Sequence, residues 1–173
     1  MVTKVVPVNN FTGEEWREVK LLSLTAQQRR LVDAAKEALQ RAYNPYSGFS
    51  VGAALRTGKG IVLGTNVENA AYGSSICAER SALVSANAQG LGDSCTAIAI
   101  VIRGASGIST ADVSAPCGEC RQFLWEFAVR SGVRERFEVI LATHDLSQVV
   151  VTNIGYLLPR AFGPSDLEEE PRA

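Results

Sequence analysis

The 173-residue sequence contains a single histidine, His144, so every mechanism and metal site that needs two imidazoles is excluded. It also lacks a long hydrophobic stretch. Its longest apolar run, 95–102, is interrupted by Thr96 and falls far short of the roughly 20 residues that span a bilayer. The opening Met-Val-Thr-Lys-Val-Val-Pro has no hydrophobic region long enough for a secretory signal. The expected compartment is therefore the reducing cytoplasm, with no membrane partner. There is no basic excess either, since 17 Lys and Arg against 18 Asp and Glu leave a net charge of −1. Phosphate backbones are held by clustered cations, so no nucleic-acid partner is expected, whereas a nucleoside-sized ligand without phosphate is allowed. Four cysteines do not make a disulfide scaffold in a chain of this size. In a reducing compartment, clustered cysteines point to metal ligands or catalytic thiols.

What remains is an ordinary globular composition, 46% hydrophobic and 20% charged, over a length that suits one domain. No internal repeat or low-complexity tract is evident. Residues 1–24 mix Pro, Asn, Gly and charge with little periodicity and read as an extension, with order expected around Trp16 and Leu21-Leu22. A domain over 25–168 follows, and 169–173 form an acidic tail.

Thr25 suits a helix N-cap. Leu31, Val32, Ala35, Leu39 and Ala42 then recur at helical spacing to about Arg41. Asn44-Pro45 ends that helix, because a residue before proline leaves the helical region. Residues 49–55 and 61–67 read as a hairpin around Thr57-Gly58-Lys59-Gly60. Helices are expected over 77–87 and 117–129, with a short one over 154–158. Strands are expected over 96–102, 137–141 and 148–151, the last two flanking the turn Thr143-His144-Asp145. Helices alternating with apolar strands imply one layered α/β domain, with a mixed central sheet of about five strands flanked by helices.

The chemistry concentrates at two helix starts. Cys77-Ala78-Glu79-Arg80 opens one helix and Pro116-Cys117-Gly118-Glu119-Cys120 opens another. Cys117 and Cys120, three residues apart, share one face of a helical turn. Helix N-termini also draw thiols toward thiolate. Three sulfur ligands suit zinc and leave a fourth position for water, whose pKa falls to about 7. Glu79, two residues after Cys77, suits a general base that is not itself a ligand.

A lone C-x-x-C pair would equally suit a redox dithiol or half of a structural zinc site. The dithiol needs no remote Cys-x-Glu. A structural site needs a fourth ligand, and Cys95 heads an apolar strand where an inert buried thiol is expected. Together the two halves favour catalytic zinc over a non-catalytic zinc-binding module. Zinc with three thiolates carries one net negative charge, which Arg80 is placed to offset by donating to the sulfurs. Asn66 and Glu68, one residue apart, face the same way in an extended segment and make a reasonable clamp for sugar hydroxyls.

These residues resemble the zinc-dependent cytidine deaminases, a class that pairs a His or Cys, a following Glu and a P-C-x-x-C segment. The three-cysteine set is similar to the small homotetrameric branch. Segments 42–55, 66–72 and 157–164 resemble that family's first hairpin, ribose-recognition segment and carboxyl-terminal element, so the likeness covers about 25–168. The resemblance implies a cytidine deaminase-like fold, one zinc per chain on Cys77, Cys117 and Cys120, and Glu79 as proton shuttle. It also implies hydrolytic deamination of cytidine and 2′-deoxycytidine in pyrimidine salvage. The alternative is another cytosine nucleoside, such as a nucleoside antibiotic, against which the Asn-x-Glu-Asn run argues. Phe49 would lie against the pyrimidine, and Ala78 would offer its backbone to the base carbonyl. Phe162 would reach a neighbouring subunit's substrate, and Tyr72 would build intersubunit contacts in a homotetramer with shared sites. His144 receives no role and is expected to be exposed.

Overall fold

The computed structural model describes residues 16–105 and 112–167. The first fifteen residues of the extension and the tail expected at 169–173 lie outside the described residues. The strands are β1 (Arg17–Glu18), β2 (Ser50–Thr57), β3 (Gly60–Thr65), β4 (Ala97–Arg103), β5 (Glu138–Thr143) and β6 (Val149–Asn153). They form one sheet in the order β1-β6-β5-β4-β2-β3. The pair β4/β5 is parallel, and the other neighbours are antiparallel. The helices are α1 (Ala26–Ala38), α2 (Ala78–Ala88), α3 (Gly118–Arg130) and the short α4 (Ile154–Leu157).

The long elements begin within a few residues of where the sequence places them. The Thr25 hydroxyl accepts from the Gln28 amide at 3.2 Å, while the Gln28 side chain accepts from the Thr25 amide at 2.9 Å, a reciprocal cap on α1. β4 shows the period of two that layers the molecule. Ala97, Ala99 and Val101 pack with Leu31, Val32, Ala35 and Leu39 on the α1 side. Ile98, Ile100 and Ile102 pack with Ala82, Leu83, Leu124 and Phe127 of α2 and α3 on the other. The sheet is thus buried on both faces. Among the described residues no helix is long and apolar enough to cross a membrane.

The sheet has six strands rather than about five. The extra strand, β1, is drawn from the extension: Arg17 pairs with Val151, Glu18 with Val150, and the Val19 amide donates to the Val149 carbonyl at 2.9 Å. Trp16 lies 6.5 Å from Tyr156 and packs on the α3 side, whereas Val19, Leu21 and Leu24 pack on the α1 side. The extension therefore grips both faces of the β6 edge. His144 also departs from expectation. It is half-buried, its amide donates to the Ile102 carbonyl at 2.8 Å, and burial with nearby Lys36 and Arg103 holds its imidazole below the usual pKa.

The topology gathers one end of the sheet. Since β2 runs antiparallel to both β3 and β4, the start of β2 meets the ends of β3 and β4. The chain leaves β3 and β4 there and next enters α2 and α3, so both helix N-termini begin near that end. Ligand sites favour such crevices beyond the carboxyl ends of strands. The seating of α2 depends on Gly64, where a Cβ would sit 2.3 Å from the Ala78 carbonyl oxygen and 2.5 Å from the Ala82 amide. Both are backbone atoms, so the helix itself would have to move. Gly64→Ala is expected to cost at least the roughly 1–3 kcal/mol of an overpacked core and to lower zinc loading. Urea unfolding together with metal analysis checks this; wild-type values for both would show that the glycine does not seat α2.

Candidate metal centre and adjoining cavity

Cys77 is the N-cap residue of α2, Cys117 is the N-cap residue of α3, and Cys120 lies in the first turn of α3. Neither N-cap side chain bonds its own helix, so both sulfurs stay free to face each other. The three sulfurs lie within 4.8 Å of one another, a group that could hold one metal ion, and none is in a disulfide. Their setting fits zinc. The donors are soft sulfurs that suit a thiophilic ion, the cluster runs from exposed Cys117 to fully buried Cys120, and two helix N-termini supply positive partial charge.

The thiols share their protons. The hydrogen bond with Cys120, assisted by the Arg80 guanidinium against the effect of burial, draws the Cys77 thiol well below its usual range. The same bond and burial push the Cys120 thiol up. Arg80 also bridges α2 to α3 through Glu119 at 2.5 Å, while its buried Nε has no hydrogen-bond partner among the described residues. A cation beside three sulfurs, with a donor to spare, matches a centre whose ligands carry excess negative charge. Arg121 braces the same turn from behind by donating to the carbonyls of Pro116 at 2.7 Å and Leu157 at 3.1 Å.

A cavity of about 290 Å³ reaches the cluster at Cys77 and is lined in part by Phe49, Asn66, Glu68 and Glu79. Glu79 is 5% exposed. Burial pushes its carboxyl up, and the negative charge on Cys77 adds to the effect. A carboxyl so placed holds and gives up a proton more readily near neutral pH than an exposed one. Ala78, between Cys77 and Glu79, is buried at the first position of α2, where a backbone N–H has no acceptor within its own helix.

Asn66 and Glu68, the residues expected to clamp a sugar, both line the cavity. Val67 exchanges backbone hydrogen bonds of 3.0 Å with Ile76, which sets Asn66 and Glu68 beside Cys77. The Asn66 side chain accepts from the Val51 amide and donates to the Phe49 carbonyl, both at 2.8 Å. One amide hydrogen and one oxygen lone pair remain. Phe162 is 57% exposed and does not line this cavity; its carbonyl is held by Gln122 of α3 at 2.9 Å. Tyr72 is 75% exposed and meets Tyr46 edge-on at 5.8 Å. Cys95 is fully buried, away from the cluster, with its S–H on the Leu91 carbonyl and its pKa raised by burial.

Sequence reading missed Ser47 and the Ser114-Ala115 wall. It also missed Glu119 as the partner of Arg80. Ser47 carried a local signal, a hydroxyl beside the Gly48 turn. The other contacts join distant segments, which no spacing rule reaches.

Fold and site together define a zinc-binding deaminase. Residues 25–134 match the cytidine and deoxycytidylate deaminase zinc-binding region, and the chain belongs to that family. It is 37% identical over 139 residues to the cytidine deaminase of Sporosarcina psychrophila, covering 80% of this chain and 93% of that one. It is 40% identical over 139 residues to a probable cytidine deaminase of Dictyostelium discoideum, covering 80% and 85%. Among solved structures, the cytidine deaminase of Burkholderia pseudomallei superposes with a TM-score of 0.68 at 44% identity, covering 80% of this chain and all of that one.

Cys117→Ala is expected to bring bound zinc from one ion per chain to well below stoichiometry, because it removes one of three converging sulfurs. Metal analysis after dialysis is the check; full loading of the variant would mean that the ligand set is different.

Proposed function

We propose that the protein hydrolyses cytidine and 2′-deoxycytidine to uridine and 2′-deoxyuridine with release of ammonia. The observation that carries this reading is the buried Glu79 carboxyl beside a three-sulfur cluster, on the wall of a cavity that also holds Phe49, Asn66 and Glu68. Cys77, Cys117 and Cys120 would hold a zinc ion, which when bound would supply the Lewis acidity that makes water a nucleophile at neutral pH.

Glu79 takes a proton from the attacking water and delivers it to N3 of the base as C4 gains its new C–O bond. It then takes the proton of the new C4 hydroxyl and passes it to the departing amino group; the C4=O bond forms as the C4–N bond breaks, and ammonia leaves. Ala78 donates its backbone N–H to the base carbonyl, and Phe49 packs against the ring. Asn66 and Glu68 hold the sugar hydroxyls, which keeps C4 within reach of attack. Arg80 offsets the charge of the thiolates. The Asn-x-Glu arrangement on the cavity wall suits an ordinary sugar better than a nucleoside antibiotic, and the curated relatives described above are named for cytidine.

Exposed Phe162 and Tyr72 support the reading that the chain forms a homotetramer in which Phe162 completes a neighbour's site and Tyr72 lies between subunits. The working compartment is the cytoplasm, in pyrimidine salvage.

Glu79→Gln keeps the shape and the zinc but removes the proton carrier. Turnover of cytidine, followed by the fall in ultraviolet absorbance and by ammonia release, is expected to drop by at least the roughly 10²–10⁴-fold attributed to general acid–base catalysis. A zinc-loaded variant with wild-type turnover would sink the assignment of Glu79.

A further inference from the structure

Ser47 occupies a junction that the reaction above leaves unassigned. Its hydroxyl donates to one oxygen of the Glu68 carboxylate and accepts from the Phe49 amide at 3.0 Å. The other Glu68 oxygen accepts from the amides of Tyr46 at 2.9 Å and Ser47 at 3.2 Å. Phe49 is then tied through its carbonyl to Asn66, and Asn66 to Val51. A single hydroxyl thus closes a circuit joining the sugar-facing carboxylate, the sugar-facing amide and the backbone that carries the ring-packing phenyl group.

The turn behind it is stiff. Gly48 adopts φ +67, and its amide closes the turn on the Asn44 carbonyl at 3.0 Å. Asn44 in turn donates to buried Ser50 at 3.0 Å.

We propose that Ser47 is a positioning residue: it fixes the Glu68 carboxylate, and with it Phe49, in the orientation that receives the nucleoside's sugar hydroxyls. The assignment rests on the deaminase reading for its substrate. Three donors occupy most of the roughly four acceptor sites of a carboxylate, so the remaining lone pair has a defined direction. A hydroxyl on the sugar meets a preset acceptor instead of ordering a loose side chain, which would cost binding free energy. The Ser47 hydrogen bond is also the largest influence holding the Glu68 carboxyl below its ordinary pKa, so the side chain stays an acceptor well into acid.

Ser47 acts through Glu68, so its removal weakens binding and leaves the chemistry at C4 largely intact. In Ser47→Ala the KM for cytidine is expected to rise about tenfold, in line with the loss of one hydrogen bond to a charged group, while kcat stays within about threefold. The KM for 2′,3′-dideoxycytidine, which lacks the 2′- and 3′-hydroxyls and keeps only the 5′-hydroxyl, should rise far less. Ser47→Thr, which keeps the hydroxyl, should restore the KM for cytidine. An equal rise for both nucleosides, or a fall in kcat with an unchanged KM, overturns the proposal.

A second readout is independent of turnover. Carbon-13 NMR of the carboxyl groups should show Glu68 titrating at higher pH in Ser47→Ala than in the wild type; an unchanged titration overturns the assignment. If the wild type turns over neither nucleoside, the deaminase reading fails, and the NMR titration alone decides the positioning role.

Discussion

Three sulfurs that prefer negative charge are brought within 4.8 Å of one another, one of them fully buried. Mutual repulsion would part them unless positive charge is built around them. The fold supplies it from three directions. The N-termini of α2 and α3 converge on the cluster with their partial charges, and Arg80 adds a full one. The Arg80–Glu119 bridge then locks the two helices together across the sulfurs. Without the ion the thiols share protons unequally, with Cys77 drawn down and Cys120 pushed up. Zinc binding must therefore displace a proton from Cys120, so metal affinity grows as the pH rises.

The remaining architecture serves this convergence. Close approach of α2 to β3 at Gly64 fixes where Cys77 and Glu79 stand. The Val67–Ile76 pairing holds the Asn66–Glu68 segment one residue from Cys77. The sulfur cluster and this part of the cavity wall are thus linked by backbone hydrogen bonds, the least adjustable connection a protein has. The Cys77 sulfur and the buried Glu79 carboxyl stand on opposite sides of Ala78, so a displacement of either disturbs both.

Much of this was legible in the sequence, because the signals were local. Capping chemistry at Thr25, the period of two in β4 and the apolar periods of the helices marked the five long strands and the main helices to within a few residues. Cys117 and Cys120 stand out because three residues span one face of a helical turn, and Cys77 and Glu79 because they sit together at a second helix start. β1 did not stand out. It is two exposed, charged residues, and its pairing comes from β6, not from any pattern of its own. His144 differs from expectation for a related reason: a turn reads as exposed, and only the folded chain shows it half-buried with the charges of Lys36 and Arg103 acting on it. Ser47 sat in plain view, but its partner lies 21 residues away, beyond any spacing rule.

The grip of the extension on β6 has a consequence for behaviour in crowded solution. A bare outer strand such as β6 would offer a row of unsatisfied amides and carbonyls, a template for templated addition of a strand from another molecule. Arg17 and Glu18 take that place, and both of their side chains are exposed. Any incoming β-segment meets two opposite charges where it would need a flat apolar ribbon. Among the described residues, an edge so short and so charged disfavours fibre-like self-association through this side of the sheet.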